Sequence, residues 1–377
     1  MVKGRLICRR CGGELDPAAP GWRCECGGHL DLAFSPRPRR EDFKGVSGTL
    51  WRYLPALPLS DEVEPVTLGE GGTPLVAMTA PGGARCLVKM DHLQPTGSFK
   101  DRGASVMISR LKHLGIREVV EDSSGNAGAA VAAYCARAAM KCTIYVPASA
   151  PRAKLAQISA YGAQVVKVEG PREAAAEAVL RAADNVYYAG HCVDPFFIQG
   201  TKTLAYELVE QLGWRAPRTV AGPLGNGTLI LGLIQGFTEL LQAGLIRDMP
   251  RILAFQSHAC NPLARAYQEG KPNSVKVEPT ASLADGIAAA APLLGRRILE
   301  EVRRVGAKIL DVGEDAIRNA WRRWAALGLS VEPTAAVALA GMEEIGEEPG
   351  ETVVVVTGHG LKHLDQSVSS STVDVRR

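Results

Sequence analysis

The chain has 377 residues, with 43 Lys+Arg against 40 Asp+Glu and 46% apolar residues. This is enough apolar material for packed cores in two domains of roughly 150–200 residues each, and it excludes disorder and a disulfide-stapled miniprotein. A net charge of +3 is too small to point to a nucleic acid or membrane partner. The opening Met1-Val2-Lys3-Gly4-Arg5 meets no apolar run before Arg9 and Arg10, so no secretory signal is read. Residues 227–246 are the most apolar long stretch, but Gln235, Glu239 and Gln242 interrupt it. No membrane span is expected, and the protein is placed in the cytoplasm.

Four of the nine cysteines fall in the first 26 residues. Cys8, Cys11, Cys24 and Cys26 read C-x2-C-x12-C-x-C, and a Gly-Gly pair follows each half. Thiols kept reduced at such spacing point to metal ligands rather than disulfides, and four sulfurs satisfy a closed, structural zinc site. His29 is an alternative ligand, and a cluster that no longer holds metal is the rival reading. The remaining five cysteines stand alone and read as packed thiols.

Residues 36–80 carry six prolines (Pro36, Pro38, Pro55, Pro58, Pro65 and Pro74) and are expected to drape over the next domain. From about residue 84 the pattern becomes strand, turn, helix, repeated. Apolar runs at Cys86–Met90, Glu118–Glu121, Cys142–Val146, Val165–Val168 and Val186–Ala189 are read as strands. So are Thr219–Ala221, Ile252–Phe255, Ile309–Val312 and Thr352–Thr357. Ala- and Leu-rich stretches such as Ala127–Ala139, Ala174–Ala183 and Leu229–Ala243 are read as helices. Strands alternating with helices predict parallel sheets in an α/β architecture. The tail from Ser367 has a disorder-like composition.

Four segments carry chemistry. The first runs Gln94-Pro95-Thr96-Gly97-Ser98-Phe99-Lys100-Asp101-Arg102-Gly103. Ser98 and Asp101 have the spacing of a capping box, which places Lys100 in the first turn of a helix reaching towards Leu114. The positive end of a helix dipole disfavours an ammonium, which suits an amine that attacks an aldehyde. The second, Glu121-Asp122-Ser123-Ser124-Gly125-Asn126-Ala127-Gly128, joins a strand to a helix, the place where open α/β sheets bind ligands. Its hydroxyls and N–H groups suit a carboxylate, and Asn126 can donate to a phenolate oxygen. In the third, Pro223-Leu224-Gly225-Asn226-Gly227-Thr228, the glycines permit close approach to a phosphate. The fourth is a valine strand ending in Thr357-Gly358-His359-Gly360-Leu361-Lys362. Taken singly, each has a bland reading as a capped turn or core strand.

Together with Val331-Glu332-Pro333-Thr334, and in this order across about residues 65–365, the segments resemble the fold type II pyridoxal-phosphate enzymes. Within these they look like the threonine synthase group. The resemblance implies two open twisted sheet domains, as in the tryptophan synthase β chain, beside a small N-terminal zinc knuckle. The division would be 1–35 for the knuckle, 36–100 with 195–377 for a large cofactor-binding domain, and 101–194 for a small mobile domain. It implies that Lys100 holds pyridoxal 5′-phosphate covalently and later moves protons, with Phe99 beside it. Asn126 would contact the cofactor's 3′-oxygen, and Gly225, Asn226, Gly227 and Thr228 its phosphate. Thr357 would bond the pyridine nitrogen. A neutral hydroxyl there cannot lock a proton on the ring, which favours elimination over transamination, and no Asp or Glu is expected within hydrogen-bond distance of that nitrogen. Ser123, Ser124 and Ala127 would hold the α-carboxylate of a small amino-acid substrate, with Glu332 near the ring and His191 as a further substrate contact. A homodimer is expected by analogy.

One stretch departs from the group's pattern. Threonine synthases carry Asn-Ser-x-Asn-Pro-x-Arg-x-Glu-Gly-Gln-Lys-Thr, where this chain has residues 191–203, with His191, Cys192 and Phe197 at the Asn, Ser and Arg positions. Phe197 removes a bidentate phosphate partner and would set an apolar ring against a dianionic substrate tail, with Lys154 or Arg152 as candidate substitutes. The expected activity is elimination of phosphate from O-phosphohomoserine to give threonine. The alternatives are a serine/threonine dehydratase giving a 2-oxo acid, β-replacement on an activated serine and, from another class, a non-catalytic protein that binds partners through the zinc knuckle.

Overall fold

The computed structural model describes residues 2–43, 48–150, 152–170, 172–346 and 350–363, without the side chains of 152–154 and 172–173. The tail from Ser367, and the side chains of Arg152 and Lys154, thus lie outside the described residues. Strands β1 (Arg5–Cys8), β2 (Glu14–Leu15) and β3 (Leu30–Ala33) form a small antiparallel sheet in the order β2-β1-β3. Leu6, Cys8 and Leu30 face inward from it onto Trp51, Leu57 and Phe196.

Next in the chain come β4 (Leu75–Thr79), β5 (Arg85–Met90), α1 (Lys100–His113), β6 (Glu118–Glu121), α2 (Asn126–Arg137) and β7 (Lys141–Pro147). These are followed by α3 (Arg152–Ala160), β8 (Gln164–Val168), α4 (Arg172–Ala182), β9 (Tyr187–Tyr188), α5 (Pro195–Thr201) and α6 (Thr203–Gln211). The remainder holds β10 (Thr219–Pro223), α7 (Thr228–Gln242), β11 (Arg251–Ser257), α8 (Pro262–Gln268), α9 (Gly295–Arg304), β12 (Lys308–Val312), α10 (Glu314–Ala326), α11 (Pro333–Ile345) and β13 (Thr352–Val356).

Two further sheets result. The larger has the order β12-β11-β10-β13-β5-β4, and the smaller is wholly parallel in the order β8-β7-β6-β9. In the larger sheet β10 and β13 are buried along their whole length, which is why they read as unbroken apolar runs rather than alternating ones. Its strands are parallel except β4, which pairs antiparallel with β5 at the edge. That strand corrects the expectation of a draping segment up to residue 80. Its five residues are half-buried or exposed and follow Pro74, so they carry no strong strand pattern; what forms the strand is the hairpin turn closed by Ala80 N–H donating to Ala84 O at 2.8 Å.

Helix α1 packs against α2 and α5. Ala104, Met107, Ile108 and Leu111 pack with the β6 and β7 residues, while Val106 joins the knuckle-side cluster. Its start is held by a buried charge cluster. Arg102 donates to Asp91 at 2.7 and 2.8 Å and to Glu207 at 2.9 and 3.0 Å, and Glu207 also receives the Lys89 ammonium at 2.5 Å. Two cations thereby meet two carboxylates away from water. Removing one partner would strand a charge and cost about 3–5 kcal/mol. Among the described residues, no helix is long and apolar enough to cross a membrane.

Candidate active site

Lys100 is the first residue of α1, but the capping box expected there does not form. Phe99 is the N-cap, in helical conformation, and Ser98 Oγ is buried without a hydrogen-bond partner. Asp101 instead receives the backbone N–H of Thr96 at 2.6 Å and the Thr96 hydroxyl. The reason is geometric: the chain turns at Gly97 (φ +78°), which brings Thr96 rather than Ser98 over the carboxylate. The segment is anchored to the large sheet by Phe99 N–H donating to Thr357 O at 3.0 Å. Burial pushes the Lys100 amine below its ordinary pKa, against the opposing pull of Cys192, Glu121 and Glu332. Desolvation thus works in the direction of a neutral nucleophile.

The amine opens into a cleft of about 130 Å³ between the two larger sheets. One wall is the α2 start, with Ser123, Ser124, Asn126 and Ala127, and the facing wall is the β10–α7 turn, with Gly225, Asn226, Gly227 and Thr228. Phe99, His191 and Thr357 complete the predicted residues that line it. Strand C-termini and helix N-termini therefore converge on one space, as doubly wound sheets dictate. The α7 terminus is a cradle that a side chain would fill. Gly227 sits at φ +86°, where a Cβ would fall 2.2 Å from Ile298 Cδ1, and a Cβ on Gly225 would fall 2.9 Å from Ile287 Cα. Unhindered N–H groups at the positive end of a fifteen-residue helix suit a phosphate.

Glu332 is placed behind this wall. As N-cap residue of α11 it accepts from Asn126 Nδ2 with both carboxylate oxygens, at 2.8 and 3.1 Å. His191 Nδ1 lies 2.9 Å from the buried carboxylate of Glu121, whose other oxygen accepts from Ser123 N–H at 2.5 Å. Glu121, Asp285 and the turn 286–289 beside the cleft were not singled out from sequence. Glu121 stands at the end of a predicted strand, two residues before Ser123, and that position was the available signal. Asp285 carried none.

Phe197 departs from expectation. Its ring is fully buried, packs edge-on to His191 at 5.8 Å, and occupies the space where a Cβ on Gly103 would stand, 2.4 Å away. It fills the contact between α5 and α1 and does not face the cleft. A larger cavity of about 730 Å³, beside the β4–β5 turn and α10, holds none of the predicted residues.

The four knuckle cysteines also converge. Their sulfurs all lie within 4.8 Å of one another, with Cys8–Cys26 at 3.5 Å and Cys11–Cys24 at 3.7 Å. Tetrahedral zinc with ~2.3 Å bonds requires sulfurs about 3.8 Å apart. His29 is outside the cluster.

The model of the pyridoxal-phosphate dependent enzyme family matches residues 66–358, which contain every residue lining the cleft. The chain belongs to this family. It is a pyridoxal-phosphate-dependent lyase with the α/β, fold type II architecture. It is 32% identical to the threonine synthase of Methanocaldococcus jannaschii, over 97% of this chain and 94% of that one. It is 34% identical to that of Mycobacterium tuberculosis over 85% and 90%. Among solved structures it is similar to a T.th. threonine deaminase, at 29% identity and TM-score 0.65, covering 76% of this chain and 92% of that one. It is also similar to maize serine racemase, at 25% identity and TM-score 0.66, covering 78% and 91%. Family membership overturns the non-catalytic alternative.

Proposed function

We propose that this lyase eliminates phosphate from O-phosphohomoserine and then adds water at Cβ to form threonine. The observation that carries the reading is the convergence of a desolvated Lys100 with a glycine-lined helix terminus in one cleft, in a chain related over nearly its whole length to threonine synthases. The residues fit the cofactor: Lys100 would be the covalent anchor for its aldehyde, the α7 terminus would take its phosphate, and Thr357 and Asn126 would serve its ring nitrogen and 3′-oxygen. When bound, pyridoxal phosphate supplies an electron sink for the carbanion formed at the substrate's α-carbon. Ser123, Ser124 and the N–H groups at the α2 start orient the substrate's carboxylate, and Lys100 carries the proton from Cα. Cys8, Cys11, Cys24 and Cys26 hold a structural zinc. The assembly is a homodimer, with residues 101–194 as the moving body.

A second reading, dehydration of serine or threonine, is favoured by the charges of the cleft. Among the described lining residues the ionisable groups are Lys100, His191 and Asp285. With Lys100 committed to the cofactor, a substrate phosphate meets one imidazole and one carboxylate, whereas a hydroxyl tail needs no counter-charge. β-Replacement on an activated serine gains no comparable support.

Reconstituted holoenzyme offered O-phosphohomoserine should release phosphate and threonine. If 2-oxo acid appears from threonine or serine and no phosphate is released, the second reading holds. Lys100→Ala should lose the visible absorption band of the lysine-bound cofactor together with at least ~10³-fold in turnover. A wild-type protein without that band would sink both readings.

A further inference from the structure

The turn after β13 brings a second lysine to the back of the cleft. Lys362 Nζ donates to Asn126 Oδ1 at 2.7 Å, while Asn126 Nδ2 donates to the Glu332 carboxylate at 2.8 and 3.1 Å. A carboxamide between two neutral polar groups can exchange its oxygen and nitrogen at little cost. Here the two partners are unambiguous, since an ammonium only donates and a carboxylate only accepts. Reversing the amide would set N–H against ammonium and oxygen against carboxylate, two repulsive contacts in place of two charge-assisted bonds. One orientation survives. It directs the N–H side of Asn126 towards Glu332, and it leaves the second N–H for another acceptor.

The lysine is placed by the segment that also carries Lys100. A Cβ on Gly97 would come within 3.0 Å of Lys362 Cε, so the bare backbone there makes the channel through which the side chain passes. His359 N–H donates to Gly97 O at 3.0 Å, and Ser98 pairs with Gly358 and Val331 with His359 as antiparallel bridges. Segments 97–100, 331–334 and 357–362 are thus laced together behind Asn126. Burial disfavours the Lys362 ammonium, and the charges of Glu332 and Asp101 oppose that shift.

We propose that Lys362 is a positioning residue for the lyase reaction: it fixes the Asn126 carboxamide with its N–H side available to the cofactor's 3′-oxygen, and offsets the charge of Glu332 beside it. This rests on the assignment of Asn126 to that oxygen. Lys362 need touch neither substrate nor cofactor. Its removal frees the amide to turn and takes one positive charge away from Glu332, leaving the His363 imidazole at 4.0 Å as a neighbouring group that is cationic only when protonated. Both effects make the ring oxygen more basic and hold a proton on the lysine-bound cofactor to higher pH.

The test is a spectrophotometric pH titration of the visible band in wild-type, Lys362→Met, Lys362→Arg and Glu332→Gln holoenzymes, with kcat and KM for each. Lys362→Met should raise the titration midpoint by about one pH unit and lower kcat about tenfold with little change in KM. Lys362→Arg, which keeps charge and donor, should recover most of both. Glu332→Gln should move the midpoint the other way, and it carries the test if the methionine variant does not fold. A Lys362→Met midpoint within about 0.2 units of wild type would overturn the proposal and leave the Lys100 assignment intact. So would a Glu332→Gln shift in the upward direction. If the wild type shows no band, the assignment of Lys100 falls and this proposal falls with it.

Discussion

The cysteine knuckle and the cleft are both polar sites built on turns after short strands, but they are assembled over different sequence distances. The knuckle draws its four sulfurs from one stretch, Cys8 to Cys26, folded on a three-stranded sheet. The cleft draws Asn126 together with Glu332, 206 positions away, and with Lys362, 236 positions away. A local site states its ligands in its spacing, whereas a distributed site depends on sheet order. The two are not isolated from each other. Arg110 donates to the carbonyls of Pro17 and Ala19 in the knuckle's central loop, and Trp22 packs edge-on against Tyr188 at 5.2 Å. Tyr188 ends β9, three residues before His191. On the other side Arg297 pairs with Asp31 at 2.8 Å. The knuckle therefore contacts the body next to both larger sheets.

The sharpest break should come on the cleft side. Gly227→Val must place a branched side chain at φ +86° against Ile298. The strain of ~3 kcal/mol or more should weaken cofactor retention at least ~100-fold. Titration of apoprotein with pyridoxal phosphate measures this. Stripping the zinc proposed for the cysteine cluster with a chelator should act on the other member of the pair. The thermal midpoint should fall, while the visible band persists in the folded protein. Simultaneous loss of the band would show that the knuckle and the cleft are one cooperative unit.

Trp22→Ala addresses the link between them. The side chain is 9% exposed and belongs to the core of the smaller sheet. Its truncation should cost about 3 kcal/mol in urea unfolding. A rise in KM alongside would show that the loop steadies the His191 wall, and an unchanged KM would confine its role to stability.

The smallest expected effect concerns pH. Burial, helped by His359, pushes the His92 imidazole from 6.5 down to about 4. Between these values the unfolded chain binds a proton that the folded chain refuses, so His92 makes stability fall as pH drops through that window. His92→Gln should flatten this acid limb by about 1–2 kcal/mol, as measured by denaturant melts at pH 4.5 and 7.

The sequence by itself determined the elements whose burial is uniform. The valines of β13 and the Leu/Ile run of α7 are buried on nearly every side, so composition alone marks them. It also marked the cysteines that cluster, because Cys8 to Cys26 is one short loop system, and it named most of the cleft lining, because strand-to-helix turns advertise themselves through Gly, Ser and Asn. Short edge strands are poorly marked, and β4 is half-exposed and held by its hairpin partner. Tertiary structure alone decided where side chains point and which charges meet. Phe197 was expected against the substrate and lies under Gly103, because helix packing sets the direction of a residue that sequence can only number. Asp101 was expected to cap through Ser98 and binds Thr96, because a turn at Gly97 intervenes. The pairings of Glu121 with His191 and of Lys362 with Asn126 join separate segments of the chain. Each is a contact between distant strand ends, and the energy that selects such contacts belongs to the packed sheets rather than to any local pattern.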